Sequence, residues 1–169
     1  MLMLKIIFLF IIIQRVVELG IAKNNEKKLK QRGAIEFGQA HYKYFIILHS
    51  MFFLSIFIEN YFIPYVEMEF FTFLLILFII LQLARVWVIS TLGERWNTKI
   101  IILPNEKLVK DGLYKYIKHP NYIIVTIELL VIPIMFHAYI TTVVFSISNL
   151  MLLKVRIREE NKALLQSIE

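Results

Sequence analysis

Long apolar runs alternate with shorter polar segments along the whole chain. A helix that crosses the hydrocarbon core of a bilayer needs about 20 residues and tolerates somewhat fewer. Apolar runs near this length lie at about residues 2–21, 45–63, 70–91, 121–136 and 139–153. The last two are short and are separated only by His137 and Ala138, which indicates a tight helical hairpin. The pattern predicts a single all-α membrane domain over residues 1–169, with about five transmembrane helices.

Composition supports a membrane protein and argues against several kinds of site. Apolar and aromatic residues make up 59% of the 169 residues, against roughly 45–50% in soluble domains. Asp111 is the sole aspartate and cysteine is absent, so aspartate-rich calcium loops, paired-aspartate proteases, most magnesium-dependent phosphoryl-transfer sites and thiolate zinc sites lack their ligands. The histidines, at positions 41, 49, 119 and 137, have no i,i+4 pairing. No metal site is therefore expected.

Lysine and arginine are distributed unevenly among the segments between the apolar runs. The loop after the second run contains Glu59, Glu67 and Glu69 but neither lysine nor arginine, and the turn at 137–138 has none either. The cations of the other loops and the tail are Lys23, Lys27, Lys28, Lys30, Arg32, Lys43, Arg95, Lys99, Lys107, Lys110, Lys115, Lys118, Lys154, Arg156, Arg158 and Lys162. By the positive-inside rule, the N-terminus is expected outside and the C-terminus in the cytoplasm. Because the cations are split among three membrane-proximal segments, they indicate anionic lipids rather than nucleic acid as partners.

The first apolar run has two interpretations. A secretory signal peptide needs a small-residue cleavage site, whereas Gln14, Arg15 and Glu18 follow the run from Ile6 to Ile13, so a retained span is favoured. Arg15 and Glu18 share a helix face, and Arg85 lies within the third run, where an unpaired charge is costly. Two interpretations stay open for these charges: they pair inside the bundle, or they line a ligand cavity.

Residues 92–122 form the longest stretch of mixed polarity and include an apolar, strand-like run from Ile100 to Leu103. Pro120 fits the first position of the fourth helix, because its missing N–H is not needed there. That helix would present free backbone N–H groups beside Lys118 and His119, an arrangement suited to a carboxylate or phosphate. The alternative is a polar helix start with interfacial tyrosines.

The C-terminal tail contains charges of both signs. Arg156, Glu159 and Glu160 lie on neighbouring turns of a helix that continues the fifth run. Alone, this pattern is typical of a solvated, salt-bridged helix end. Together with Lys118 and His119, it supplies cations and carboxylates to a site suited to a zwitterion.

Three short motifs follow one another in the second half of the chain. They are Gly-Leu-Tyr at 112–114, Lys-His-Pro-Asn-Tyr at 118–122 and Arg-Ile-Arg-Glu-Glu-Asn-Lys-Ala-Leu at 156–164, preceded by Leu-Gly-Glu-Arg-Trp-Asn at 92–97. In this order they resemble the isoprenylcysteine carboxyl methyltransferase family of integral membrane enzymes, over roughly residues 82–165. The residues of these motifs are most similar to those of the small bacterial branch, and in particular to members that O-methylate alkylpyrones. The chain departs from the family's pattern at Lys118, where arginine is usual, and in a slightly tighter spacing from Arg156 to the two glutamates.

The resemblance implies S-adenosylmethionine bound at the cytoplasmic face of a bacterial plasma membrane, between residues 92–122 and 154–165. The residues it indicates for cofactor binding are Gly112, Leu113, Tyr114, Lys118, His119, Pro120, Asn121, Tyr122, Arg156, Glu159 and Glu160. Glu159 or Glu160 suits the methionine ammonium, and Lys118, Arg156 or the N-terminus of the fourth helix suits its carboxylate. A tyrosine at 114, 116 or 122 suits adenine or the sulfonium.

The acceptor implied by the resemblance is a lipophilic small molecule that enters from the bilayer. Methyl transfer mainly requires a dry, positioning cavity, and a carboxylate or acidic enol needs no strong base. The candidate catalytic residues are His119, Asn121 and Glu128; for a less acidic phenol, His119 or Glu128 is suited to assist. Glu128 has an equally weighted alternative role as a structural partner of Arg15 or Arg85.

Three functions are compatible with these residues. The first is O-methylation of an alkylpyrone, a phenolic lipid or a prenylcysteine-type carboxylate. The second is N-methylation of a phospholipid headgroup, and the third is a non-catalytic membrane subunit or carrier. The polar residues from His119 to Tyr122, together with the pair Glu159 and Glu160, favour an enzyme. The oligomeric state is not indicated by the sequence.

Overall fold

The computed structural model describes residues 2–63, 69–104 and 106–166, with Gln166 described by its backbone alone. Glu67, which belongs to the loop predicted to lack lysine and arginine, lies outside these residues. The elements in chain order are α1 (Leu2–Gln31), β1 (Ile35–Phe37), α2 (Gln39–Phe62), α3 (Phe71–Leu92), β2 (Ile100–Ile102), α4 (Pro120–Met135) and α5 (Tyr139–Gln166). Single 3-10 turns lie at Gly93–Arg95 and Gly112–Lys115.

Apolar helices dominate the described residues. Three stretches are long and apolar enough to cross a membrane, namely Gln39–Phe62, Phe71–Arg95 and Tyr139–Leu165. Helix α4 is shorter, and the apolar part of α1 includes Lys5, Arg15 and Glu18. Large apolar side chains are exposed along the outer faces of the helices, as a lipid environment favours. The predicted all-α membrane fold is confirmed.

The hairpin predicted for the last two runs is formed by α4 and α5, which pack along each other. His137 adopts the left-handed conformation with φ of 57°, and the Ala138 N–H donates to the Pro133 carbonyl at 2.8 Å. A carboxylate from α2 then caps α5, because Glu59 accepts the backbone N–H groups of Ile140 and Thr141, each at 2.9 Å. This cap satisfies donors that a helix start leaves unpaired.

A polar layer covers the opposite end of the bundle, beyond the apolar parts of the helices. Helix α1 continues to Gln31, and its Asn25 amide donates to the carbonyls of Gly93 and Trp96 at 3.1 and 2.8 Å. Strands β1 and β2 pair antiparallel in this layer, with Ile35 opposite Ile102. The strand-like run near Ile100 is therefore a strand, and its partner β1 is an addition to the predicted elements. The C-terminal half of α5 contacts both strands.

Candidate functional site

Gly112 fixes the segment that leads from α3 to α4. Its φ of +55° is a left-handed conformation that favours glycine, and a Cβ there would approach Thr91 Oγ1 to 2.9 Å and Trp87 Nε1 to 3.1 Å. Leu113 packs beside the core, so the 3-10 turn is pressed against α3. Pro120 is buried at the start of α4, as predicted. These contacts hold residues 114–119 over the end of the bundle.

Tyr122 links the beginning of α4 to the C-terminal half of α5. Its hydroxyl donates to the Glu160 carboxylate and accepts a hydrogen bond from Arg156 Nε at 2.9 Å. The Arg156 guanidinium lies 5.6 Å from the centre of the Tyr122 ring and 5.2 Å from that of Phe45, and its Nη2 donates to the Thr98 carbonyl at 2.7 Å. Arg156 is 8% exposed, so helices α2, α4 and α5 meet around one buried cation.

His119 lies directly beside this contact. Its ring stacks on Tyr122, with centroids 5.2 Å apart and planes 15° from parallel, and its Nδ1 lies 3.6 Å from the Glu160 carboxylate. Burial lowers the pKa of His119 below its ordinary value of 6.5; Glu160 opposes this shift and Lys118 adds to it. Burial also raises the pKa of Tyr114, with a smaller contribution from Glu160. At neutral pH the site therefore contains an uncharged imidazole and an uncharged phenol beside a carboxylate.

A cavity of about 450 Å³ lies in the polar layer, and we call it the polar cavity. Its wall includes residues 95–97, 99–103, 106–110, 114–119 and the side chains Tyr122, Arg156 and Glu160. Three lining atoms are buried without a hydrogen-bond partner among the described residues: Trp96 Nε1, His119 Nε2 and Asn121 Oδ1. The volume falls within the roughly 300–1,000 Å³ of small-molecule sites. Buried unpaired groups are costly unless a ligand or water pairs with them, so these atoms favour a polar ligand.

A second cavity, of about 440 Å³, lies deeper between the helices, and we call it the bundle cavity. Its wall is mainly apolar, with side chains such as Ile12, Val16, Phe53, Val125 and Leu153. Both cavities are lined by Trp96, Asn97, Asn121, Tyr122 and Arg156. A polar compartment and an apolar compartment thus adjoin at one group of side chains.

Four charged side chains form a buried cluster beside the bundle cavity. Glu128 accepts hydrogen bonds from Arg85 Nε at 3.0 Å and from Arg15 Nη2 at 2.7 Å, and Arg85 Nη2 also donates to it. Glu18 accepts from Arg15 at 2.7 Å and from Arg85 at 3.3 Å. Arg85 and Glu128 are each 2% exposed. The charges therefore pair inside the bundle, because Arg15 and Arg85 each contact both Glu18 and Glu128. Arg15, Glu18 and Arg85 also line the bundle cavity, whereas Glu128 serves as their ion-pair partner.

The structure brings together most of the residues predicted for cofactor binding. The polar cavity is lined by Tyr114, Lys118, His119, Asn121, Tyr122, Arg156 and Glu160. Gly112, Leu113 and Pro120 shape the backbone beside it. The two glutamates separate, because Glu159 pairs with Lys162 at 3.1 Å whereas Glu160 contacts Tyr122. Glu160 is therefore the glutamate of this pair at the cavity.

Several lining residues were not predicted from the sequence. Trp96 and Asn97 were noted only as part of a motif, yet they line both cavities, and Asn97 Nδ2 donates to the Ala22 carbonyl at 2.9 Å. His49 and Phe45 on α2 line the bundle cavity. Glu160 itself was predicted, and a signal existed for choosing it over Glu159: it lies four residues after Arg156, on the α5 face that also buries Leu153 and Ala163.

Known proteins are similar to this chain over most of its length. Residues 74–166 match the isoprenylcysteine carboxyl methyltransferase family. The chain is 43% identical over 162 residues to the uncharacterized protein YpbQ of Bacillus subtilis (strain 168), covering 96% of each. It is 32% identical over 167 residues to an uncharacterized protein of Haemophilus influenzae, covering 97% of this chain and 96% of that protein. The family match includes every predicted site residue from Gly112 to Glu160.

Proposed function

The chain belongs to the isoprenylcysteine carboxyl methyltransferase family, and on that premise we propose that it uses S-adenosylmethionine to O-methylate a lipophilic acceptor at the cytoplasmic face of the membrane. The family membership confirms the resemblance of its three motifs and makes the protein a membrane methyltransferase. The observation that carries the finer proposal is the meeting of the polar cavity and the bundle cavity at Asn121, Tyr122 and Arg156.

The polar cavity suits the cofactor in volume and in polar groups. S-adenosylmethionine supplies a methyl group bonded to a positively charged sulfur when it is bound. Glu160 is suited to its ammonium group, and Lys118 and Arg156 to its carboxylate. The unpaired atoms of His119, Asn121 and Trp96 offer further hydrogen bonds to its hydroxyl groups and adenine.

Aromatic rings are suited to hold the charged sulfur near the boundary between the cavities. Tyr122 lines both cavities, and Tyr114 lines the polar one. A cation over an aromatic face is stabilised by roughly 0.5–2 kcal/mol, depending on its desolvation. Because the phenol of Tyr114 keeps its proton, its ring adds no competing negative charge. We therefore expect these tyrosines to orient the methyl group toward the bundle cavity.

The bundle cavity suits the apolar part of the acceptor. Its apolar walls bury a hydrocarbon chain, whereas the boundary residues Asn121, Tyr122 and Arg156 are suited to the oxygen that receives the methyl group. Methyl transfer is a displacement at carbon, and it mainly requires that the acceptor oxygen and the methyl group of the cofactor be held in line with water excluded. The acceptor class is an alkylpyrone, a phenolic lipid or a prenylcysteine-type carboxylate.

Charge distribution supports the proposed orientation. The cations of the described polar layer lie at the end that contains the polar cavity, and Glu59 lies at the other end. The positive-inside rule places such an end in the cytoplasm, where S-adenosylmethionine is synthesised and where the C-terminus would then lie. The membrane would be the bacterial plasma membrane, with the N-terminus outside.

A labelled-methyl screen tests this function. Detergent-purified protein is incubated with S-adenosylmethionine carrying an isotopic methyl label and with an alkylpyrone, an alkylphenol, a prenylcysteine or phosphatidylethanolamine. We expect label in a methyl ether or methyl ester, and a loss of transfer in Glu160→Gln. Label in phosphatidylethanolamine alone would overturn O-methylation in favour of N-methylation. Binding of the cofactor without transfer to any of these classes would contradict the proposed acceptor classes.

A further inference from the structure

His49 lies on the wall of the bundle cavity. It belongs to a stripe of α2 side chains that line this cavity at helical spacing, together with Tyr42, Phe45, Ile46, Ser50 and Phe53. Phe45, one turn earlier, contacts the Arg156 guanidinium at the boundary between the cavities. One turn corresponds to about 5.4 Å along the helix, so His49 lies just inside the bundle cavity from that boundary.

The hydrogen bond of His49 fixes which nitrogen is available. Nδ1 lies 2.9 Å from the Phe45 carbonyl oxygen, and a carbonyl only accepts, so Nδ1 is the donor. In the neutral imidazole the lone pair is then on Nε2, on the side of the ring away from the α2 backbone. No described residue forms a hydrogen bond with Nε2. In its neutral form, His49 therefore gives the cavity wall a hydrogen-bond acceptor.

The charged side chains around His49 do not form an anion-binding site beside it. Arg15 and Glu18 on α1, Arg85 on α3 and Glu128 on α4 are paired with one another, so their formal charges cancel. Among the described residues, the other charged or titratable side chains on this cavity are Arg156, Tyr42 and Tyr122. Arg156 Nε and Nη2 donate to the Tyr122 hydroxyl and the Thr98 carbonyl, Tyr42 bonds to Thr98 at 3.0 Å, and the Tyr122 hydroxyl donates to Glu160. A lone pair next to a charge-balanced cluster favours a group that donates a hydrogen bond over a carboxylate.

We propose that His49 is a catalytic residue that binds and deprotonates a hydroxyl group of the lipophilic acceptor. This inference rests on the proposed methyltransferase function. As the hydroxyl oxygen forms its bond to the methyl carbon, its proton moves to Nε2 and the carbon–sulfur bond of the donor breaks, leaving its electron pair on sulfur. The products are a methyl ether, a neutral thioether and an imidazolium, which then releases its proton to water. The acceptor is accordingly a phenol or enol rather than a carboxylate.

Two substitutions separate hydrogen bonding from proton transfer. His49→Gln places an amide oxygen near the position of Nε2, so it keeps an acceptor but no base, whereas His49→Phe removes both. His41→Gln is the matched control, because His41 lies two turns earlier on α2 and lines neither cavity. The probes are a long-chain alkylphenol, whose hydroxyl donates a hydrogen bond, and its methyl ether, which does not. Dissociation constants are measured by calorimetry, and kcat and KM by transfer of a labelled methyl group.

We expect wild type and His49→Gln to bind the alkylphenol about five- to tenfold more tightly than its methyl ether, and His49→Phe to bind both alike. We expect kcat to fall by roughly 100-fold or more in His49→Gln while KM changes little. His41→Gln should match wild type, and all variants should bind S-adenosylmethionine. Equal binding of phenol and ether by wild type, or a kcat in His49→Gln within about twofold of wild type, would overturn the role of His49. A wild-type protein that binds no S-adenosylmethionine would instead overturn the proposed function.

Discussion

The hydroxyl of Tyr122 donates a hydrogen bond to the carboxylate of Glu160, and this contact joins the first turn of α4 to the C-terminal half of α5. Arg156 Nε donates to the same hydroxyl, so one phenol connects a cation and an anion of α5. Tyr122 and Arg156 line both cavities, whereas Glu160 lines the polar cavity. The arrangement aligns the proposed ammonium-binding carboxylate with the boundary between cofactor and acceptor.

The two adjacent glutamates should differ sharply in cofactor binding. Glu160→Gln removes the carboxylate at the polar cavity, and a charge-assisted hydrogen bond contributes about 1.5–3 kcal/mol. We expect its dissociation constant for S-adenosylmethionine to rise by roughly 10- to 100-fold in equilibrium dialysis. Glu159→Gln is the matched control and should change it by less than about twofold, because this carboxylate pairs with Lys162 at an exposed position. Equal effects of the two substitutions would refute the assignment of Glu160.

Gly112→Ala should destabilise the protein more than Gly93→Ala. Both glycines have φ near +55°, so alanine is strained at either position. At Gly112 the new Cβ would also meet Thr91 and Trp87, whereas at Gly93 it would have no described atom within 4 Å. We expect Gly112→Ala to cost about 1–3 kcal/mol more than Gly93→Ala, observed as a lower thermal midpoint in detergent. Similar midpoints would show that the 3-10 turn does not pack tightly on α3.

Removal of the Glu128 charge should mainly lower the stability of the folded protein. Glu128→Gln leaves Arg15 and Arg85 with an uncompensated buried charge, which costs about 3–5 kcal/mol. We expect a markedly lower thermal midpoint, while Glu94→Gln, which loses an exposed pair with Lys28, should melt like wild type. A Glu128→Gln protein with a wild-type midpoint but no methyl transfer would instead assign Glu128 a role in catalysis.

The pH dependence of stability should include a contribution from His119. Because burial lowers its pKa in the folded protein, the unfolded chain binds a proton first as the pH falls. The contribution of His119 to the free energy of unfolding is therefore fully present above about pH 6.5, and it decreases below this pH until the folded-state pKa is reached. Between about pH 6.5 and pH 5.5, we expect the thermal midpoint of His119→Gln to fall less than that of wild type. Parallel profiles for the two proteins would contradict a buried, neutral His119.

The apolar runs predicted the positions of the helices well, because an apolar helix is recognised from the hydropathy of its own residues. They did not predict that α1 continues to Gln31, since hydropathy marks the span and a helix continues through polar residues that pack on a neighbouring layer. Strand β1 was missed for another reason. Its three residues pair with Ile100–Ile102, far away in sequence, and such short strands have little signal of their own.

The motifs predicted the polar side of the site but not its apolar side. Residues from Tyr114 to Tyr122 are contiguous, ending in the first turn of α4, so their proximity follows from the chain itself. The choice between Glu159 and Glu160 depended on how α5 is rotated, which Arg156 and the helical repeat indicate only once α5 is docked. His49 gave no signal, because a histidine within an apolar span has no recognisable spacing to residues on other helices.

Calorimetric titration of the purified wild-type protein with S-adenosylmethionine, in detergent and in lipid nanodiscs, tests the cofactor site most directly. His119→Ala serves as the comparison, because its imidazole lines the polar cavity and contacts Tyr122. We predict saturable binding of one cofactor per chain, weakened about tenfold by His119→Ala. An absence of binding in both detergent and lipid would contradict a cofactor site here and would favour a non-catalytic subunit or carrier.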